Sequence, residues 1–168
     1  MPAEPLEILR PVSEDVLDIL TALPRGRRLL GFDLGTKTIG LAMSDVERCI
    51  ATPLETIQRS KFSAEAARVQ ELAARFDIGG FVFGLPVNMD GTEGPRAQSA
   101  RAFARNLARL APLPCAFWDE RLSTAAVTRA MIDADTTRAR RAIVVDRVAA
   151  AYILQGFLDR LRARSLQL

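Results

Sequence analysis

The order of apolar segments predicts an α/β fold: a mixed five-stranded sheet, with an antiparallel three-strand meander plus parallel strands, flanked by helices. Three observations carry this expectation. Between about residues 29 and 57, three strand-like runs are separated only by short turns, which implies antiparallel return. Two later apolar runs, 79–85 and 114–118, alternate with helical patterns, as parallel strands do. At 168 residues, 49% hydrophobic and 26% charged, the chain has the size and composition of one globular domain with a real core.

Residues 1–28 read as an acidic N-terminal extension, and residues 29–168 as the main domain. In the extension Ser13 is placed to cap a short helix, with Glu14 and Asp15 in its first turn. Val16, Leu17, Ile19, Leu20 and Leu23 give that helix an apolar face to dock on the main domain, and Pro24 closes it.

Leu29–Phe32 is the first strand and Ile39–Ser44 the second, with Gly35 and Gly40 bracketing a tight polar turn. Cys49–Ile57 is a third strand, which Pro53 assigns to an edge. Ser63 is placed to cap the next helix, whose apolar stripe is Ala67, Leu72, Ala73 and Phe76. The unbroken run Gly79–Leu85 suits a central parallel strand. After an Asp90-Gly91 turn, Pro95 opens a helix to about Leu110, with Ala100, Phe103, Ala104 and Leu107 inward. Arg101, Arg105 and Arg109 recur at i+4 spacing; such a stripe suits either a solvated face or nucleic acid.

Pro114–Trp118 is the last strand and ends in Asp119-Glu120-Arg121. Ser123 or Thr124 then caps a helix to about Ile132, followed by a polar break at Asp133–Arg138 and a long helix over about Ala139–Leu161.

The composition excludes whole classes of chemistry. There is no histidine, so Ser-His-Asp and Cys-His triads, histidine zinc sites and histidine acid–base catalysis are ruled out. Cys49 and Cys115 have no CxxC spacing and read as small buried hydrophobes in a reducing compartment. The acidic, proline-bearing N-terminus is not a signal peptide, and no apolar run approaches the ~20 residues of a membrane span. A cytoplasmic protein with no membrane partner follows as the expectation. The net charge of +3 divides into −4 over residues 1–24 and +7 over the rest. Apart from Lys37 and Lys61 the cations are all arginine, which suits a phosphate-bearing partner or an arginine-coding GC-rich genome.

Three carboxylates stand in unusual places. Asp33 ends a buried strand at a glycine turn, either as a turn cap or as a ligand for a metal or phosphate. Glu120 sits at another strand tip. Asp146 interrupts a helix that is apolar nearly all round, and its one-turn neighbours Ala142, Ile143, Ala149 and Ala150 offer no cation. Arg138, Arg140 and Arg141 crowd the start of that helix, where cations oppose the dipole unless they face phosphates. Carboxylates with water are natural ligands for Mg²⁺ or Mn²⁺, and paired metals drive in-line phosphodiester hydrolysis without histidine.

Four ordered motifs carry a resemblance. They are Gly31-Phe32-Asp33-Leu34-Gly35 with Ile39-Gly40-Leu41-Ala42 and Ser44-Asp45; Gly84-Leu85-Pro86 with Asp90-Gly91-Thr92-Glu93-Gly94; Asp119-Glu120-Arg121-Leu122-Ser123-Thr124; and Asp146 with Ala149-Ala150 and Ile153-Leu154-Gln155. Over residues 29–160 the chain resembles the YqgF/RuvX family of the ribonuclease H-like superfamily. The resemblance implies an RNase H-like fold and a metal-dependent endonuclease, acting in 5′-end maturation of pre-16S rRNA or as a Holliday junction resolvase on branched DNA. It implies Asp33, Glu120 and Asp146 as catalytic, metal-binding acids for Mg²⁺ or Mn²⁺. It also makes Gly35, Lys37, Asn88, Thr92, Arg96 and Arg121 candidate contacts to phosphate or strand, alongside the three arginines of the last helix. Two departures stand out: Thr38 occupies a position where many members carry arginine, and the acidic extension is outside the usual pattern. A monomer or a homodimer is compatible with the sequence. The rival readings are an ATPase of the actin and Hsp70 superfamily, which normally needs two such domains, and a non-catalytic RNA-binding ribosome assembly factor.

Overall fold

The computed structural model describes residues 14–122 and 138–166, with side chains described for residues 17–121 and 147–166. Strands β1 (Arg28–Leu34), β2 (Thr38–Ser44) and β3 (Ala51–Gln58) form the antiparallel meander. Strands β4 (Ile78–Leu85) and β5 (Cys115–Asp119) extend the sheet in parallel, giving the order β3-β2-β1-β4-β5. Helices α1 (Glu14–Thr21), α2 (Phe62–Arg75), α3 (Pro95–Leu110) and α4 (Arg138–Ser165) complete the described elements.

The sheet separates two cores. On one face, α2 and α3 cover an aromatic cluster in which Phe32 and Phe83 stack with ring centroids 4.5 Å apart. Phe81 meets Phe32 edge-on at 5.5 Å, and Phe117 lies 5.8 Å from Phe83. Each such fully buried ring contributes about 1.5–3 kcal/mol over leaving it in water. On the other face, α1 and α4 bury Leu17, Leu20, Leu29, Ala42, Val82, Ile153, Leu154, Phe157 and Leu158. β1 and β4 are buried on both faces, which is why their sequences read as continuous apolar runs.

The helix α4 crosses this second face in close contact with the backbone of β1. A Cβ on Gly31 would lie 2.8 Å from Leu154 Cβ and 3.3 Å from the carbonyl of Ala150, so only glycine admits the helix at this depth. Gln155 fixes the lateral position. Its amide oxygen accepts from Ala51 N–H at 2.9 Å and its Nε2 donates to Cys49 O at 2.9 Å, joining α4 to the start of β3.

Several local expectations are corrected. α2 begins at Phe62 with Lys61 at its N-cap, and no side chain caps it. Ser63 is inside the helix; Glu65 reaches back instead and accepts from Ser60 N–H at 3.2 Å. β3 starts at Ala51, because Asp45 Oδ1 accepts from Cys49 N–H (2.8 Å) and Ile50 N–H (3.0 Å) and folds that segment into a turn. Cys49 is thereby half-buried, whereas Cys115 is buried as expected. Ile19 faces outward at 37% exposure, while Leu17 and Leu20 carry the docking of α1. Arg101 does not belong to a solvated stripe. It pairs with Glu93 at 2.5 Å and lies 4.9 Å over the Phe117 ring, whereas Arg105 and Arg109 are exposed. Pro53 does mark an edge strand, at a register shift opposite Leu41 and Ala42. The long last helix starts at Arg138. The expected cap at Ser13, the helix from Ser123 or Thr124 to about Ile132, and the break over 133–137 lie outside the described residues.

Candidate active site

Asp33 is the penultimate residue of β1 and only 3% exposed. Its alternation with Gly31, whose face meets α4, sets it on the α4 side of the sheet. β1 and β4 run in parallel register to Phe32↔Phe83, so Asp33 stands beside Gly84. On the far side of β4, Gly84 pairs with Trp118 and Leu85 with Asp119, after which Glu120 opens a single 3₁₀ turn, Glu120–Leu122. The Glu120 carboxylate folds back over β4: a Cβ on Gly84 would stand 2.7 Å from its Oε1 and 2.6 Å from Ile153 Cδ1. Gly84 therefore leaves the space that lets a carboxylate from β5 approach the acid on β1. Asp146 lies in α4 four residues before Ala150, whose carbonyl meets Gly31. Its side chain is not among the described residues, and among those described no three acids form one cluster.

The turn after Asp33 is held by bonds that the sequence did not reveal. Gly35 N–H donates to Thr38 O at 2.9 Å and closes the hairpin. Arg59 then clamps it from behind. Its Nη1 donates to Gly35 O at 2.9 Å, and its own N–H donates to Lys37 O at 2.9 Å. Nε of Arg59 donates to the buried Glu65 carboxylate at 2.8 Å. The available signal was a charged pair, Arg59 and Glu65, bracketing the start of a predicted helix. Lys37 itself is exposed at the hairpin tip.

Asn88 and Thr92 belong to the loop that follows β4. Asn88 N–H donates to Thr92 O at 2.9 Å, and Asn88 Nδ2 donates to Thr92 Oγ1 at 3.0 Å. Asp90 Oδ1 accepts from both Thr92 N–H (2.9 Å) and Thr92 Oγ1–H (2.6 Å). These bonds hold the Asp90 carboxyl below its usual range, the Thr92 hydroxyl contributing most. Gly91 takes φ +87°, as the Asp-Gly turn predicts. Arg96 is exposed in the first turn of α3. Arg138, Arg140 and Arg141 lie in the first turn of α4, with side chains outside the described residues.

Arg121 is engaged within the molecule. Its Nε donates to Asp119 at 3.0 Å, its Nη2 donates to Asp119 Oδ2 at 2.7 Å, and its Nη1 donates to Asn88 O at 3.2 Å. The guanidinium holds the Asp119 carboxyl below its ordinary value, chiefly through these hydrogen bonds.

With this geometry in place, the comparisons with known proteins decide the family. Residues 27–160 match the family model described as "RuvX: Holliday junction resolvase". The chain belongs to the RuvX family. A relative from Methylocella silvestris, named "Putative pre-16S rRNA nuclease", is 63% identical over 148 residues, covering 88% of this chain and 92% of its own. A relative of the same name from Rhodobacter capsulatus is 65% identical over 144 residues, covering 86% and 91%. The fold also matches that of RuvC from T. thermophilus, solved in complex with a Holliday junction substrate. That match has a TM-score of 0.51 at 18% identity over 83% of this chain and 96% of that one, a likeness of fold. RuvX membership makes this chain an endonuclease, a hydrolase, and sets aside the ATPase reading of the hairpin. Among the described residues no helix is long and apolar enough to cross a membrane.

Proposed function

We propose that this RuvX chain is a divalent-metal-dependent endonuclease that matures the 5′ end of pre-16S rRNA in the cytoplasm. The observation that carries the reading is the approach of Glu120, from the turn after β5, over Gly84 on the β4 strand that neighbours the strand bearing Asp33. The names of the Methylocella and Rhodobacter relatives support rRNA as the substrate.

The donor set suits a hard cation. Asp33 and Glu120 supply carboxylate oxygens, the ligands that Mg²⁺ and Mn²⁺ prefer, and the chain has no histidine to draw a softer metal. Asp146 is the third acid of the proposed set. When bound, the metal supplies activation of water and stabilisation of charge on the phosphodiester. The chain's own residues do the rest. Asp33 is fixed by the clamped hairpin, and Glu120 is fixed by its turn and by the space at Gly84. Gly35, Lys37, Asn88, Thr92 and Arg96 are the contacts proposed for the phosphate backbone, together with Arg138, Arg140 and Arg141. The domain over residues 29–168 carries this site, and the acidic segment before it is an appendage.

The test is Asp33→Asn against the unchanged protein, with precursor 16S rRNA and a four-way DNA junction side by side in Mg²⁺ or Mn²⁺. Loss of rRNA cleavage with folding retained is the expected result. Undiminished cleavage by the variant overturns the assignment. Retained RNA affinity and ribosome maturation without any cleavage would instead identify a non-catalytic assembly factor. The family description and the RuvC fold favour one second reading, resolution of branched DNA, which preferential cleavage of the junction would establish.

A further inference from the structure

Leu85↔Asp119 is the last registered pair between β4 and β5. Beyond it the two chains diverge, one into the 86–94 loop and the other into the Glu120–Leu122 turn. Arg121 bridges the gap. Nε and Nη2 grip the Asp119 carboxylate, while Nη1 reaches Asn88 O at 3.2 Å and Met89 O at 3.4 Å. Asp119 Oδ1 also accepts from Arg121 N–H at 2.9 Å, which sets the backbone around Glu120. The guanidinium therefore touches both sides at once: the residue before Glu120 and the first carbonyls of the loop.

We propose that Arg121 is a positioning residue that fixes the 86–94 loop against the Glu120 turn, and that it is not a ligand for substrate phosphate. Three of its five N–H donors are committed inside the molecule: the Nε–Nη2 edge, which would grip a phosphate side-on, holds Asp119, and one Nη1 hydrogen holds the loop carbonyls. The Asn88, Asp90 and Thr92 bonds tie the loop together, Glu93 holds its far end to Arg101, and Arg121 anchors its near end, so that freeing the near end loosens those internal bonds. The consequence is that Asn88 and Thr92 are indexed to Glu120 as one unit. Lysine cannot replace this residue: it carries the charge but has no fork to hold one carboxylate and two carbonyls together.

The experiment compares Arg121→Lys and Arg121→Gln with the unchanged protein by three measurements. Amide hydrogen exchange at Asn88, Gly91 and Thr92 is read without any substrate, so it stands whatever nucleic acid the enzyme cuts. The salt dependence of binding to a single-stranded RNA oligonucleotide rests on the reading of the preceding subsection, as does the split between kcat and KM. The expected result is exchange at least tenfold faster in both variants, an unchanged slope of log binding constant on log salt, and a kcat loss that lysine does not rescue. Unchanged exchange overturns the proposal. So does a salt slope shallower by about 0.7, the loss of one phosphate contact on a single strand, or restoration of binding and kcat by lysine.

Discussion

The buried carboxylate of Glu65 and the backbone carbonyl of Gly35 are held by one guanidinium: Arg59 donates Nε to the first at 2.8 Å and Nη1 to the second at 2.9 Å. Glu65 is 2% exposed and Arg59 a third exposed, so the pair is desolvated mainly on the acid side. Removing Arg59 leaves a buried carboxylate with only the Ser60 amide as its remaining donor among these contacts. Arg59→Ala should cost about 2–3 kcal/mol, below the figure for a wholly buried pair because one partner reaches water. Urea unfolding checks this through a lower midpoint at constant m-value. Glu65→Ala should cost a similar amount, and the double variant less than the sum.

Gly84→Ala is expected to damage activity more than stability. The added methyl meets Ile153 Cδ1, which can swing aside, but it also meets Glu120 Oε1 at 2.7 Å and pushes the carboxylate away from Asp33. Overpacking of this kind costs about 1–3 kcal/mol. The turnover of precursor rRNA should fall by two orders of magnitude or more, on the order of a 1 Å misplacement. Near-normal turnover in a folded Gly84→Ala protein would show that Glu120 need not lie over β4.

Acid should unfold the protein earlier than its composition suggests. Glu55 is held below its ordinary value by hydrogen bonds from Arg68, Glu93 by those from Arg101, and Asp119 by those from Arg121. A carboxyl whose pKa is lower folded than unfolded adds stability above the unfolded value. That stability is lost as pH falls through the folded value. Thermal midpoints should therefore be level above about pH 5 and decline below about pH 4, where unpaired Asp and Glu begin to protonate. Combining Glu55→Gln with Glu93→Gln should lower the plateau and flatten the decline; an unchanged slope would deny these pairs their part.

The two cysteines should report separately on the fold. Burial pushes the Cys115 thiol up to about 12, so at pH 8 it is neutral and enclosed. Cys49, half-buried in the turn before β3, should react alone with a thiol reagent in the native protein. Cys49→Ser should abolish the fast phase, and Cys115 should appear only in denaturant.

Much of the architecture was legible because it rests on runs of one character. Leu29–Phe32, Ile39–Ser44 and Gly79–Leu85 read as strands from their apolar runs, and the structure has them as strands buried over nearly their whole length. The acids at strand ends were equally visible, since a carboxylate has no packing reason to stand at Asp33. What could not be read depends on partners far away in sequence. The start of β3 is moved by the Asp45 side chain capping two amides, and the helix after it starts at Phe62 with Lys61 at its N-cap, while Glu65 reaches back to the Ser60 amide. Arg101 read as part of a solvated or nucleic-acid-facing stripe and Arg121 as a candidate phosphate contact; Glu93 and Asp119 engage them within the molecule. Gly84 read as part of an apolar strand, and its use as space for Glu120 appears only once β5 is laid beside β4.

The contact of Gly31 with Leu154 joins a strand made early in synthesis to a helix made near the end. Until that helix is in place this face has only the cover of α1, through Leu17 and Leu20, and long-range closure of this kind is slow to form. The carboxylate face is bounded by the same helix. A chain that has formed its hairpin and sheet but not this helix therefore still lacks the element that carries Asp146, the third of the proposed acids.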